Sequence, residues 1–151
     1  MSEDYFNIVR LVERLHRHFL DVLRTELRRL GIDDINSVQA LLLFNIGESE
    51  VVIRDLKDRG YYQGSNVSYN IKKLTDYGYL AQERSAHDRR AVILRLTDKG
   101  LSLCDGVRNL QAHLSESLRR VHGLEEDLQG AAKALLELER TWTDYVHYGR
   151  P

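Results

Sequence analysis

The 151-residue sequence predicts a mainly α-helical chain (α+β) with one small β-hairpin, and three observations carry that reading. Apolar residues recur at spacings of three and four towards both ends of the chain, which is the helical period. Between residues 79 and 96 that period gives way to two strand-like runs around a charged tip. The one proline is the last residue, so proline interrupts none of the helical stretches.

The elements follow in order. Ile8, Leu11, Val12, Leu15, Phe19, Val22, Leu23, Leu27 and Leu30 line one face of a helix from about Asp4 to Leu30, with Gly31 as its stop. Roughly 26 residues at 1.5 Å rise span about 39 Å, more than a compact small domain needs, so this helix should pack on something beyond its own domain. Asp34 or Asn36 caps a second helix, Ser37 to Phe44, that ends at Gly47. A short third helix runs from Val51 to Arg59, with Ile53 and Leu56 inward and Gly60 at its end. After a turn at Tyr61-Tyr62-Gln63-Gly64, Ser65 takes the N-cap position of a fourth helix that ends near Gly78. Tyr79 to Arg84 and Ala91 to Leu96 read as the two strands of a hairpin around Ser85-Ala86-His87-Asp88-Arg89-Arg90. Thr97 or Asp98 caps a fifth helix to about Val121. A sixth runs from Leu124 to about Tyr145, with Leu128, Ala131, Leu135, Leu138, Trp142 and Tyr145 on one face. Two short helices across a tight turn, followed by a β-hairpin, make the winged helix-turn-helix arrangement.

Composition narrows the function. The longest apolar run, Ala40 to Phe44, is far short of the ~20 residues of a membrane span. The acidic start Met1-Ser2-Glu3-Asp4 lacks the basic region of a secretory signal, and the lone Cys104 has no internal disulfide partner, so a cytoplasmic location is expected. Cys104, beside Leu103 in the fifth helix, reads as a small buried hydrophobe. His16 and His18 point apart on their helix, and the other histidines lack ligand spacing, so no metal is expected. A Gly-rich phosphate loop, a nucleophile elbow and a carboxylate pair in an apolar setting are all missing. The chain therefore reads as neither an enzyme nor a cofactor protein. Net charge is −1, yet residues 61–100 hold seven basic residues against four acids, a local +3. Positive charge is thus concentrated in the middle third.

On a helical wheel, Val67, Ile71 and Leu74 of the fourth helix face the core. Ser65, Tyr69, Lys72, Lys73 and Asp76 project from the opposite side, with Asn66 and Asn70 on its flanks and Ser68 beside them. Asn can pair with adenine, Ser is adaptable, and Lys reaches guanine or phosphate, so this polar face suits major-groove reading. The hairpin adds Arg84, His87, Asp88, Arg89 and Arg90. Two guanidinium groups at the end of a thin projection suit a narrow minor groove, and Asp88 is out of place beside phosphates unless it orients a neighbouring arginine through a bidentate pair.

The stretch from Asp88 to Gly100 resembles the D-x-R-x-x-x-x-x-L-T-x-x-G wing motif of the MarR (multiple antibiotic resistance regulator) family, through Asp88, Arg90, Leu96, Thr97 and Gly100. Asn66 to Leu80 resembles the same family's recognition helix and its run into the wing, and the helix order matches over essentially the whole chain. The turn at Tyr61-Tyr62-Gln63-Gly64 departs from the family's aliphatic-plus-Ser pattern. The resemblance implies one domain over 1–151, with a winged helix-turn-helix at 35–100 and dimerisation helices at 4–30 and 101–147. It further implies a homodimer on a pseudo-palindromic operator in double-stranded DNA, usually a repressor, with Arg90 in the minor groove. A small aromatic or phenolic effector is implied too, with His16, Phe19, Leu23 and Phe44 as candidate pocket residues. The competing reading is a winged-helix protein–protein interaction module without direct DNA readout, from which steep salt dependence of binding would separate it.

Overall fold

The computed structural model describes residues 1–47, 50–58 and 64–150, the side chains of residues 57, 58, 64 and 65 excepted. The elements, in order, are α1 (Ser2–Arg29), α2 (Ser37–Ile46), β1 (Val51–Val52), α3 (Ile53–Asp58), α4 (Gly64–Asp76), β2 (Leu80–Arg84), β3 (Val92–Leu96), α5 (Asp98–Leu118) and α6 (Leu124–Tyr148). The expected turn at Tyr61-Tyr62-Gln63, the end of the third helix at Arg59-Gly60 and the Ser65 side chain lie outside the described residues.

One element differs from expectation. Val51 and Val52, read as the start of the third helix, form a strand that pairs antiparallel with β3, Val51 opposite Leu94 and Val52 opposite Ile93. Two adjacent β-branched residues suit a pleated edge better than a first helical turn, and pairing buries Val51 against the core. The hairpin becomes a three-stranded sheet in the order β1-β3-β2, with Leu80 opposite Leu96 and Arg84 opposite Val92.

The cap ambiguities resolve by hydrogen bonding. Asn36 caps α2: its Oδ1 accepts from the Gln39 backbone N–H at 2.8 Å, while Gln39 Oε1 accepts from the Asn36 N–H at 3.0 Å. This reciprocal capping box satisfies two otherwise orphaned donors. Thr97 caps α5, its Oγ1 accepting from the Gly100 N–H at 3.2 Å and donating to the Gly78 carbonyl at 2.6 Å.

The chain divides into two compact units, residues 1–110 and 111–151. In the first, one hydrophobic core joins Leu27, Ile35, Leu42, Leu43 and Ile46 to Leu56, Val67, Ile71, Leu74, Leu80, Leu94, Leu96 and Leu103. Val67, Ile71 and Leu74 are all buried, as the wheel requires. Cys104 is buried in the same core. The N-terminal half of α1 is different: Tyr5, Phe6, Ile8, Leu11 and Leu15 are exposed. In the second unit no residue of α6 is buried, and Leu128, Leu135, Leu136, Trp142, Tyr145 and Val146 are exposed. Among the described residues, no helix is long and apolar enough to cross a membrane.

Candidate nucleic-acid interface

The outer face of α4 is built as its sequence pattern requires. With Val67, Ile71 and Leu74 anchored inward, Asn66, Ser68, Tyr69 and Lys72 are exposed, while Asn70 and Lys73 are half-buried. Lys73 Nζ lies 5.7 Å from the Tyr69 ring centroid, one helical turn away. That geometry suits a cation–π contact, which restrains both side chains on the outer face.

The wing tip is a tight turn closed by its own side chains. The Ala91 N–H donates to the Asp88 carbonyl at 3.0 Å, and the Ser85 N–H to the Ala91 carbonyl at 3.0 Å. Asp88 Oδ1 accepts from the Arg90 backbone N–H at 3.0 Å. The carboxylate therefore shapes the backbone as an Asx-turn and does not hold an arginine side chain in a bidentate pair, a correction to the sequence reading. Ser85 Oγ does the same at the other end, accepting from the N–H groups of His87 at 3.2 Å and Asp88 at 3.4 Å. Arg89 and Arg90 occupy the two central positions of this turn, and both are exposed along with Arg84 and His87. Arg84 Nη1 donates to the Arg89 carbonyl at 3.4 Å.

Recognition helix and wing are coupled. Gln82 Nε2 on β2 donates to Thr75 Oγ1 at 2.8 Å, and Thr75 Oγ1 donates to the Ile71 carbonyl at 2.7 Å. Below them Asp34, Tyr79 and Lys99 form a polar knot. Tyr79 Oη donates to Asp34 Oδ1 at 2.8 Å; Lys99 Nζ lies 3.3 Å from Asp34 Oδ2 and 4.2 Å from the Tyr79 ring centroid, and donates to the Tyr77 carbonyl at 2.9 Å. Burial pushes the Asp34 carboxyl up, but the bonds from Tyr79 and Lys99 and the lysine charge outweigh it, leaving it below its ordinary value. Burial and the neighbouring Asp34 carboxylate hold the Tyr79 phenol well above its ordinary range. On α1 the buried Glu26 is kept below the usual carboxylate range by hydrogen bonds from Arg29, whose Nε lies 3.1 Å away, and by the arginine charge, against burial.

Two of the seven cations in residues 61–100 are thereby committed elsewhere. Arg95 is paired with Glu50, at 3.2 Å, and with Glu83, and Lys99 is held in the knot. The cations left to act outward are Lys72, Lys73, Arg84, Arg89 and Arg90, on the α4 face and at the wing. Sequence reasoning did not single out Ser85 and Gln39, and it noted Asn70 only as a flanking residue. Ser85 carried a readable signal, a hydroxyl two and three residues before N–H groups at a tip. Gln39 carried one as the third residue of a capping box. The four candidate pocket residues differ in setting: His16 is exposed, Phe19 half-buried, Leu23 buried, and Phe44 packed on the core.

A short helix, a polar helix on an apolar anchor and a basic hairpin on one core define a winged helix-turn-helix protein. A family model described as "Winged helix DNA-binding domain" matches residues 35–100. The chain is 39% identical over 145 residues, covering 96% of itself and 75% of the relative, to the exopolysaccharide II synthesis transcriptional activator ExpG of Rhizobium meliloti (strain 1021). Its fold is similar to that of FabT from Streptococcus pneumoniae, solved in complex with DNA (TM-score 0.75, 23% identity, 93% of this chain and 98% of that one). It is similar also to that of a MarR transcriptional regulator from Methanosarcina mazei Go1 (TM-score 0.73, 20% identity, 89% and 96%). The chain belongs to the MarR family of winged helix-turn-helix transcription regulators. It is a DNA-binding regulator of transcription and not an enzyme.

Proposed function

We propose that the chain acts as a homodimer on a pseudo-palindromic operator, with α4 in the major groove and the wing tip in the minor groove. The observation that carries this reading is the wing turn, which sets Arg89 and Arg90 at its two central positions with no acidic side chain bound to either among the described residues. Such cations are attracted by the potential of a narrow minor groove. Ser65, Asn66, Ser68, Tyr69, Lys72 and Lys73 would meet base edges and phosphates from α4, and Arg84 and His87 phosphates beside the wing. The exposed apolar residues of α1 and α6 support the dimer. These side chains are 40–76% exposed in the single chain, and burying a large apolar side chain contributes at most about 1.5–3 kcal/mol, which opposes an association cost of about 4–15 kcal/mol. Two-fold symmetry would then match a two-fold operator.

The sign of regulation is the finer point. The relative that is 39% identical, aligned over 96% of this chain, is named an activator, which supports activation over the repression implied by the family resemblance. An aromatic or phenolic effector remains part of the proposal, and a panel of small aromatic acids in a thermal-shift assay tests it. The main test is an electrophoretic shift series over salt concentration. Wild type should lose affinity steeply and linearly in log[salt], and Arg90→Ala, which removes one cation from each subunit of the dimer, should weaken binding to all duplexes and reduce the slope by about two. Binding insensitive to salt, or Arg90→Ala equal to wild type, would refute the interface and favour a protein partner. Sedimentation showing only monomer at micromolar concentration would refute the dimer.

A further inference from the structure

Gln39 of α2 and Asn70 of α4 share a hydrogen bond whose direction a third residue fixes. The Asn36 backbone N–H can only donate, and it gives to Gln39 Oε1 at 3.0 Å. The other end of the Gln39 amide, Nε2, must then donate, and it lies 3.2 Å from Asn70 Oδ1. Gln39 is 6% exposed, so flipping its amide would set a nitrogen against the Asn36 N–H with little water to compensate. A main-chain donor thus orients, through two amides, a side chain on the recognition helix. Asn70 turns its oxygen towards α2 and keeps two Nδ2–H donors for other use.

That orientation bears on what Asn70 can do at a DNA surface. A bidentate contact to adenine needs the amide oxygen to accept from the base while the nitrogen donates. The Gln39 amide occupies one of that oxygen's two lone pairs and holds the oxygen turned towards α2. A bond to a phosphate oxygen uses Nδ2 alone and leaves the link to Gln39 intact. Position agrees: Asn70 is half-buried in one row with Asn66 and Lys73, on the flank of α4 and away from Tyr69 and Lys72.

We propose that Asn70 contacts DNA by giving an Nδ2–H hydrogen bond to a phosphate oxygen and does not read adenine, and that Gln39 is the positioning residue that holds its amide in that sense. The proposal rests on the reading of α4 and the wing as the DNA surface. It is tested by affinity for a random-sequence duplex pool and by binding-site selection from the same pool. Asn70→Asp keeps the acceptor for Gln39 and replaces the donor with an anionic oxygen. It should lose about tenfold or more in affinity on every duplex while selecting the wild-type consensus. Gln39→Met should lose about threefold, and should add nothing in an Asn70→Ala background, because it acts through Asn70. Should Gln39→Met fail to fold, Gln39→Glu keeps the acceptor for Asn36 and removes only the donor. The anionic side chain also lowers affinity by repulsion in both backgrounds, so its loss should be smaller, though not absent, in the Asn70→Ala background. An altered consensus for Asn70→Ala, multiplicative losses for Gln39→Met and Asn70→Ala, or wild-type binding by Asn70→Asp would overturn the proposal. Arg90→Ala run alongside separates the two levels. If it weakens binding while Asn70→Asp does not, only the Asn70 assignment fails; if neither weakens it, the surface reading fails as well.

Discussion

Replacing Gly100 by alanine isolates one contact that the L-T-x-x-G motif encodes. Gly100 lies in the first turn of α5, where an added Cβ would come within 2.4 Å of the Tyr79 carbonyl oxygen and 3.3 Å of Leu96 Cδ2. The first distance is about 1 Å short of ordinary van der Waals contact. The oxygen cannot simply withdraw, because it accepts the Thr97 N–H at 3.1 Å and belongs to the residue whose side chain holds Asp34. Overpacking of this kind costs about 1–3 kcal/mol, and a lengthened hydrogen bond adds about 0.5–1.5 kcal/mol. Against this, alanine is favoured over glycine in a helix by about 1 kcal/mol. The net expectation is a loss of about 0.5–3.5 kcal/mol, or a Tm lower by about 1–14 °C at this chain length. Gly130, inside α6, has nothing within 4 Å of its would-be Cβ, so Gly130→Ala should gain up to about 1 kcal/mol. Paired urea and thermal melts of the two variants read the difference. A Gly100→Ala protein as stable as wild type, or more so, would show that the approach of α5 to the Tyr79 carbonyl is not as close as described.

Three further outcomes are expected. Asn36→Ala removes the cap bond to the Gln39 N–H and should cost about 1 kcal/mol in chemical denaturation. Tyr79→Phe should flatten the alkaline limb of the stability–pH curve. A phenol whose folded pKa lies above its ordinary value of 10.0 contributes stability fully below pH 10.0 and loses it as pH rises towards the folded value. A variant curve that falls above pH 10.0 as steeply as wild type would contradict the Tyr79–Asp34 bond. Arg95→Met should change DNA affinity by no more than about twofold, because Arg95 is already neutralised by Glu50 and Glu83, whereas Arg90→Ala should weaken it clearly.

Much of this was legible in sequence because it depends on neighbours along the chain. The period of Val67, Ile71 and Leu74 determined which face of α4 is buried, and therefore which side chains are left to meet a ligand. The Asp88 to Arg90 spacing marked the wing tip, since an Asx-turn spans only two residues. What sequence could not assign were partners brought together by folding. Val51-Val52 carries no alternation long enough to distinguish a strand from a helix start, and only the free edge of β3 makes it a strand. Formal charge counted Arg95 and Lys99 with the outward cations, and only the placement of Glu50, Glu83 and Asp34 withdrew them. The role of Asp88 turned on geometry as well: its carboxylate has a backbone N–H within reach two residues on, and that bond holds no long side chain in place. Sequence by itself determined the helices, the wing and the polar face, because periodicity and turn chemistry act over a few residues. Tertiary structure decided which polar groups are spent on the fold and which are left for DNA, because that depends on pairs such as Gln39 and Asn70, 31 residues apart, meeting across the core.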